Sequence, residues 1–406
     1  NIQAPPNLSP GVFHRIIDAG INDWGGVSPV TPDFVNPEAP WPHLSNLAQE
    51  TAREGKVLVE RLALYPKQVQ ALDQWVDVAL QPMVLDTVDG EGFVRGEDWA
   101  AGESPMPPAA DLARVTQIPK LQPSATLSDI LQRAVAGETL AEQDIVRLFM
   151  ARGDEVTHVC QAADQVRKKL AGDEVTYCVN RNINYTNVCY FKCQFCAFSK
   201  GKMSENLRGR PYDLSSEEIM RRTREAHDRG ASEVCLQGGI HPEYTGQTYL
   251  DICHTIKQVV PEMHIHAFSP LEVWQGAKTL GQSLPEYLTA LKEAGLGTLP
   301  GTAAEILDDE VRSTLCPDKI NTSQWLEVME AAHGVGFNTT ATIMYGHIER
   351  YEHVARHLLR IRALQEKTGG FTEFVILPFI HMEAPIYLKG NARRGPTFRE
   401  AILIHA

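Results

Sequence analysis

The sequence predicts an α/β fold in which helices alternate with parallel strands around a barrel or partial barrel. The first observation is a repeated order of capped amphipathic helix, glycine and apolar strand from Thr186 onward. The second is the number of strand-like segments, one before a cysteine-rich loop and five after it. This order is typical of parallel α/β folds, in which the chemistry lies on loops at the C-terminal ends of the strands.

Each element of that barrel has a local signal. The first strand is predicted within 175–186, and the others within 231–239, 263–270, 296–301, 338–347 and 371–380. Ser215 with Glu218, and Ser283 with Glu286, form capping boxes that predict the starts of two helices. Two further helices are predicted over 323–336 and 349–370, each ending at glycine.

The first hundred residues have a different texture. Residues 20–42 are rich in proline and glycine and predict a long irregular segment, and residues 43–66 then predict a helix. We expect three parts: residues 1–102, a linker over 103–125, and the barrel over 126–406, whose first helical region leads into the sheet.

Composition limits the class of protein. The net charge is −13 and no long basic run occurs, which argues against a nucleic-acid partner. The longest apolar runs fall far short of the roughly 20 residues that span a bilayer, and the first residues have neither the basic start nor the apolar core of a signal peptide. Only three of the eight cysteines cluster, so we expect a reduced, cytoplasmic setting in which that cluster binds metal.

The cluster is Cys189, Cys193 and Cys196, at a C-x3-C-x2-C spacing. Three thiolates on a tight loop can hold a 4Fe-4S cluster and leave one iron free for another ligand. The spacing also permits a zinc site whose fourth ligand comes from elsewhere, for example Cys178 or Cys235.

With Phe195 before the third cysteine, this loop resembles that of the radical S-adenosylmethionine (SAM) enzymes. The resemblance implies a TIM-like (β/α) barrel, a 4Fe-4S cluster, SAM as the ligand of the open iron, and a 5′-deoxyadenosyl radical. Two more motifs fit it, "LQGGIHP" (236–242) and "IMYGHIE" (343–349), although Ile240 stands where many members carry Glu. Phe195, Gly238, Gly239, Glu305 and Glu349 are the implied SAM-binding positions.

Four segments, including "LPGTAAEILDDEVR" (299–312), narrow the resemblance to the deazaflavin-forming tyrosine 4-hydroxybenzyl transferases and related menaquinone-pathway enzymes. Residues 18–42 resemble the closing segment of the lyase half of the fused deazaflavin (FO) synthases. The resemblance therefore implies a chain that begins with the end of one such barrel and continues into a second, truncated at its C-terminus. It further implies L-tyrosine and 5-amino-6-(D-ribitylamino)uracil as substrates, and a ferredoxin or flavodoxin as electron donor.

Other residues at predicted strand ends are weaker candidates. Asn184, Tyr185, Arg312 and His241 are possible substrate contacts, and ordinary packing or solvation is the alternative for each. Glu305 has a further alternative, since an acid at a helix N-terminus complements the helix dipole. A menaquinone-pathway cyclase, or a non-catalytic iron–sulfur or zinc module, remains the alternative for the whole chain.

Overall fold

The computed structural model describes residues 1–104, 106–199 and 209–406. The sheet consists of six strands: β1 (Asn180–Asn184), β2 (Glu233–Gln237), β3 (His264–Ala267), β4 (Thr298–Leu299), β5 (Asn338–Tyr345) and β6 (Phe371–Pro378). All pairings between them are parallel, and the spatial order β1-β2-β3-β4-β5-β6 follows the chain. The prediction of a parallel α/β barrel or partial barrel is confirmed.

Helices connect these strands. Those of the barrel region are α7 (Ala125–Ala136), α8 (Glu142–Phe149), α9 (Asp154–Ala171), α10 (Ser216–Asp228), α11 (Gly246–Val259), α12 (Pro270–Leu280), α13 (Leu284–Glu293), α14 (Asp309–Leu315), α15 (Thr322–Gly334), α16 (Tyr351–Thr368), α17 (Pro385–Leu388) and α18 (Phe398–His405). The predicted caps are present: the Ser215 side chain accepts a hydrogen bond from Glu218 N, and Ser283 begins α13.

One face of the sheet packs on these helices. Ile183, Val234, Leu236 and Ile265 are fully buried there and form the largest hydrophobic core with residues of α10–α13 and α15. Since side chains alternate along a strand, the residues between them point to the opposite face.

The first hundred residues form short helices: α1 (Phe13–Asp18), α2 (Leu44–Arg53), α3 (Pro66–Val69), α4 (Leu72–Trp75), α5 (Gln81–Thr87) and, further on, α6 (Ala109–Thr116). The predicted irregularity of 20–42 is confirmed. The predicted helix over 43–66 is wrong beyond Arg53, because Gly55 adopts a φ of +67° that ends the helix.

The end of this N-terminal part packs on the end of the barrel. Asp89 forms ion pairs with Arg152 at 2.6 Å and with Arg399 at 3.1 Å. Arg95 donates to the carbonyl oxygen of Gly395 at 2.9 Å, and the Trp99 and Phe398 rings are 5.3 Å apart. Residues 86–99 therefore share an interface with α18 and the loop before it.

Among the described residues, none of the helices combines the length and apolar composition that crossing a bilayer requires.

Candidate active site at the C-terminal edge of the sheet

The cysteine loop follows β1 and is fixed by backbone hydrogen bonds to three other parts of the barrel. Tyr190 N donates to Ile240 O at 3.2 Å, beyond the end of β2. Gln194 N donates to Leu315 O at 2.8 Å, and Gln194 O accepts from Ile386 N at 2.8 Å. The loop therefore sits across the edge of the sheet at which all six parallel strands end.

The three cysteines are unpaired and partly exposed. Within the described ranges, the one set of three potential ligands that converges within 4.8 Å is Asp308, Glu310 and His353, so the three cysteine sulfurs are spread more widely. A cluster with several irons spaces its ligands farther apart than a single ion does. Three soft thiol donors at this spacing fit an iron–sulfur cluster better than one zinc ion.

Ion pairs account for the close approach of Asp308, Glu310 and His353. Asp308 Oδ2 lies 2.8 Å from Arg356 and 3.2 Å from Arg360. Glu310 pairs with Arg350 and His353, each at 3.1 Å. These guanidinium groups already supply the positive charge that the two carboxylates need.

The glycine turn after β2 lies directly against the cysteine loop. Gly239 N donates to Thr186 O at 2.9 Å. A Cβ on Gly239 would lie 2.2 Å from Val188 O, and one on Gly238 would lie 2.3 Å from the Tyr185 ring. In the structure these glycines allow close approach of the turn to the loop, and their contact with SAM stays a prediction.

Glu305 forms an ion pair beside the cysteines that the sequence did not reveal. Its Oε1 lies 2.6 Å from Lys319 Nζ, and the two side chains are 11% and 12% exposed. Lys319 Nζ is also 5.1 Å from the centroid of the Phe195 ring. The aromatic ring of the cysteine loop therefore lies next to a cation.

Burial raises the pKa of the Cys193 thiol to about 12, although the charge of Lys319 acts in the opposite direction. Burial by itself would lower the pKa of Lys319, but Glu305 raises it above the usual range. The lysine is therefore a permanent cation next to the loop.

The Glu349 carboxylate binds backbone groups of the turn in which it lies. Its carboxylate accepts hydrogen bonds from the backbone N–H groups of Gly346 and His347, the latter at 2.8 Å. Arg393 Nη2 lies 3.5 Å from the same carboxylate. The side chain thus shapes the loop after β5, at the position where SAM contact was predicted.

Two of the predicted substrate contacts, Arg312 and Tyr185, are buried. Arg312 is 3% exposed and donates to backbone carbonyls of Ala303, Ala304 and Ile320, so it braces the loop after β4. Tyr185 is fully buried, and its hydroxyl donates to Glu272. Both side chains make internal contacts in this structure, and substrate contact by either residue stays a prediction.

Asn184 and His241 remain accessible. Asn184 is exposed at the end of β1 and donates to Gln237 O at 3.2 Å. His241 is partly exposed after the glycine turn, and its Nδ1 accepts from Glu243 N at 3.2 Å.

A row of polar side chains crosses the face of the sheet opposite the helices. Asn182, Cys235, His266 and Thr298 are register partners in β1–β4. The rings of His266 and His264 both contact Thr298 Oγ1, at 2.7 and 2.9 Å. Sequence analysis missed this row as a unit. Its alternation with the buried apolar residues of each strand is the signal that could have found it.

Comparisons with known proteins show the family of this chain. The family model described as the Radical SAM superfamily matches residues 183–361. FO synthase of Streptomyces coelicolor is 42% identical over 438 residues, covering 98% of this chain and 50% of that protein. FO synthase of Mycobacterium tuberculosis H37Rv is 43% identical over 447 residues, covering 100% and 52% respectively.

A shorter relative matches about two thirds of this chain. The 5-amino-6-(D-ribitylamino)uracil–L-tyrosine 4-hydroxyphenyl transferase of Methanothermobacter thermautotrophicus is 46% identical over 277 residues, covering 68% of this chain and 74% of that protein. The chain spans about half the length of the FO synthases that it matches. The three-cysteine loop, the parallel barrel and these matches together identify the chain as a member of the radical SAM superfamily.

Proposed function

We propose that this chain catalyses the transferase step of deazaflavin biosynthesis, in which the 4-hydroxybenzyl group of L-tyrosine passes to 5-amino-6-(D-ribitylamino)uracil. The observation that carries the proposal is the three-cysteine loop fixed against the glycine turn at the C-terminal edge of the barrel. The 46% identity to the Methanothermobacter transferase, whose name contains both substrates, supports this choice of substrates.

Cys189, Cys193 and Cys196 would hold the 4Fe-4S cluster, and the Gly238–Gly239 turn would lie beside bound SAM. When bound, the cluster and SAM would supply 5′-deoxyadenosyl radical chemistry for hydrogen abstraction. An external one-electron donor, such as a ferredoxin or flavodoxin, would be the protein partner.

The protein's own contribution is to position the substrates and exclude water. The polar row of Asn182, His266 and Thr298 faces the open side of the sheet, where amide, imidazole and hydroxyl groups can bind a polar substrate. Asn184, at the end of β1, and His241, after the glycine turn, are the further candidates for substrate contact.

We further propose that residues 1–102 belong with a lyase-like unit, that 103–125 form a linker, and that 126–406 form the transferase barrel. The change from short helices before residue 103 to the alternating strands and helices of the barrel supports that division. Asp89 and Arg95 contact residues of the barrel, so the end of the first unit packs on the second.

The test is anaerobic reconstitution with iron and sulfide, followed by incubation with SAM, dithionite and both substrates. Mass spectrometry should detect 5′-deoxyadenosine and the adduct of the uracil with the 4-hydroxybenzyl group. Serine at Cys189, Cys193 or Cys196 should abolish both products, while Cys178→Ala should retain them. A zinc-containing chain, or a full cluster that never yields 5′-deoxyadenosine, would refute the proposal.

A further inference from the structure

The most buried carboxylate near the candidate site is that of Glu272, which is 2% exposed. It lies in the first turn of α12, where it forms a capping box with Ser269. Glu272 Oε2 accepts from Ser269 N at 2.6 Å and from Ser269 Oγ at 2.5 Å. Helix capping therefore explains the hydrogen bonds of one of the two carboxylate oxygens, Oε2.

The other oxygen makes a contact that helix capping does not explain. Glu272 Oε1 accepts from the hydroxyl of Tyr185, which follows β1 and lies 87 residues earlier. Burial raises the pKa of this carboxyl, and the backbone N–H of Gly238 acts in the opposite direction. Donors from two separate segments, Ser269 and Tyr185, thus converge on one buried anion, and such convergence is what makes its burial tolerable.

A second capping box in the same barrel shows what the motif looks like alone. Ser283 and Glu286 begin α13 with nearly the same distances, 2.9 Å from Ser283 N and 2.6 Å from Ser283 Oγ. Glu286 is exposed, and its carboxylate accepts these hydrogen bonds from Ser283. Starting a helix therefore does not require the buried contacts that Glu272 makes.

Both partners of Glu272 are parts of the candidate site. The Tyr185 ring occupies the space beside Gly238 in which a Cβ would clash at 2.3 Å. Tyr185 also comes four residues before Cys189, the first cysteine of the loop. Burial raises the pKa of Tyr185 well above its usual range, so its hydroxyl keeps the proton that it donates.

We propose that Glu272 is a positioning residue that, through Tyr185 and Gly238, fixes the glycine turn relative to the start of the cysteine loop. The inference rests on the proposed function, because the relative position of the turn and the loop matters for ligand binding only if SAM binds beside both. A small displacement of either element would weaken SAM binding without removing a cluster ligand.

The test compares Glu272→Gln and Tyr185→Phe with Glu286→Gln and Tyr287→Phe in the reconstituted chain. Tyr287 is a matched control because it is also fully buried and donates to a carbonyl, that of Gly246, at 2.9 Å. The readouts are iron per chain, the SAM dissociation constant by calorimetry, and the change that SAM causes in the electron paramagnetic resonance spectrum of the reduced cluster.

We expect iron content to stay at the parent value in all four variants. The SAM dissociation constant should rise about tenfold in Glu272→Gln, since a buried donor loses its acceptor. Tyr185→Phe should show a smaller rise, and both controls should stay within about twofold of the parent.

SAM affinity in both site variants within twofold of the parent would overturn the proposal, as would an equal loss in the controls. If Glu272→Gln does not fold, Tyr185→Phe decides, because it keeps the carboxylate and the capping box. A parent chain that carries its cluster but binds no SAM would instead refute the proposed function, whatever the variants do.

Discussion

Lys319 and Glu305 form a largely buried ion pair next to the cysteine loop, with Nζ 2.6 Å from Oε1. Lys319→Met should destabilise the chain by about 3–5 kcal/mol, because it leaves the Glu305 carboxylate buried without a partner. The free energy of unfolding in urea, measured on the metal-free chain, checks this.

The matched control is Lys367→Met. Lys367 pairs with Glu330 at the same 2.6 Å, but the side chains are 63% and 47% exposed. Loss of such a surface pair should cost less than about 1 kcal/mol. Adding Glu305→Gln to Lys319→Met should recover part of the loss, and equal costs for the two lysines would contradict the argument.

The same pair should tune the reduction potential of the reconstituted cluster. Reduction adds negative charge beside Cys193, which the Lys319 cation favours and the Glu305 anion opposes. Lys319→Met should therefore lower the potential and Glu305→Gln should raise it. A redox titration followed by electron paramagnetic resonance, without SAM, checks the two directions. Shifts of the same sign would contradict this electrostatic reading.

Gly239→Ala should loosen the cysteine loop. The added Cβ would meet Val188 O at 2.2 Å and Cys189 Cβ at 2.9 Å, so the loop must move. We expect iron retained after desalting to fall to less than about half of the parent value, because ligand positions tolerate little displacement.

Gly334→Ala is the control for that change. Gly334 ends α15, has no atom within 4 Å of its missing Cβ, and needs no left-handed backbone. It should keep the parent iron content and stability to within about 1 kcal/mol. Full iron retention in Gly239→Ala would show that the loop is more adaptable than its contacts indicate.

The strands and several helices could be predicted because their signals are local. The capping pair Ser215–Glu218 and the alternation of Val234 and Leu236 with polar residues lie within a few positions of one another. The same local reasoning predicted the end of α2 wrongly. Apolar residues continue past Gly55, but the helix ends before it because Gly55 has a left-handed backbone conformation.

The missed parts of the site depend on contacts between distant residues. Lys319 lies in a loop, and only the fold brings its amine to Glu305. The capping pair of Glu272 with Ser269 can be recognised in the sequence. Its contact with Tyr185 cannot, because the two residues are 87 positions apart and no sequence pattern links them. Arg312 falls on a helix, and its burial follows from the loop that it braces.

The interface between residues 86–99 and the barrel should contribute strongly to stability. Asp89→Asn should cost about 3 kcal/mol or more, because Asp89 is 3% exposed and pairs with two arginines, Arg152 and Arg399. Asp98→Asn is the control: its fully exposed side chain lies 3.5 Å from Arg394 and should contribute almost nothing. Urea unfolding distinguishes the two, and equal midpoints would contradict a tightly packed interface.

Stability should also fall in acid because of Glu400. Burial alone raises the pKa of this carboxyl, but Arg393 and Arg399 lower it from 4.5 to about 2. Between those values the unfolded chain binds a proton that the folded chain does not. The contribution is therefore complete above about pH 4.5 and is lost as the pH falls toward 2, by up to about 1.4 kcal/mol for each pH unit.

Glu400→Gln removes the titrating group and isolates this effect. The variant should be less stable than the parent at pH 7, because Arg393 loses its 3.1 Å partner while Arg399 keeps Asp89. The difference in unfolding free energy between the two chains should then shrink as the pH falls below about 4.5, since the parent carboxylate becomes protonated. A difference that stays constant from pH 5 to about pH 2.5 would mean that the two arginines do not hold the Glu400 carboxylate in its charged form.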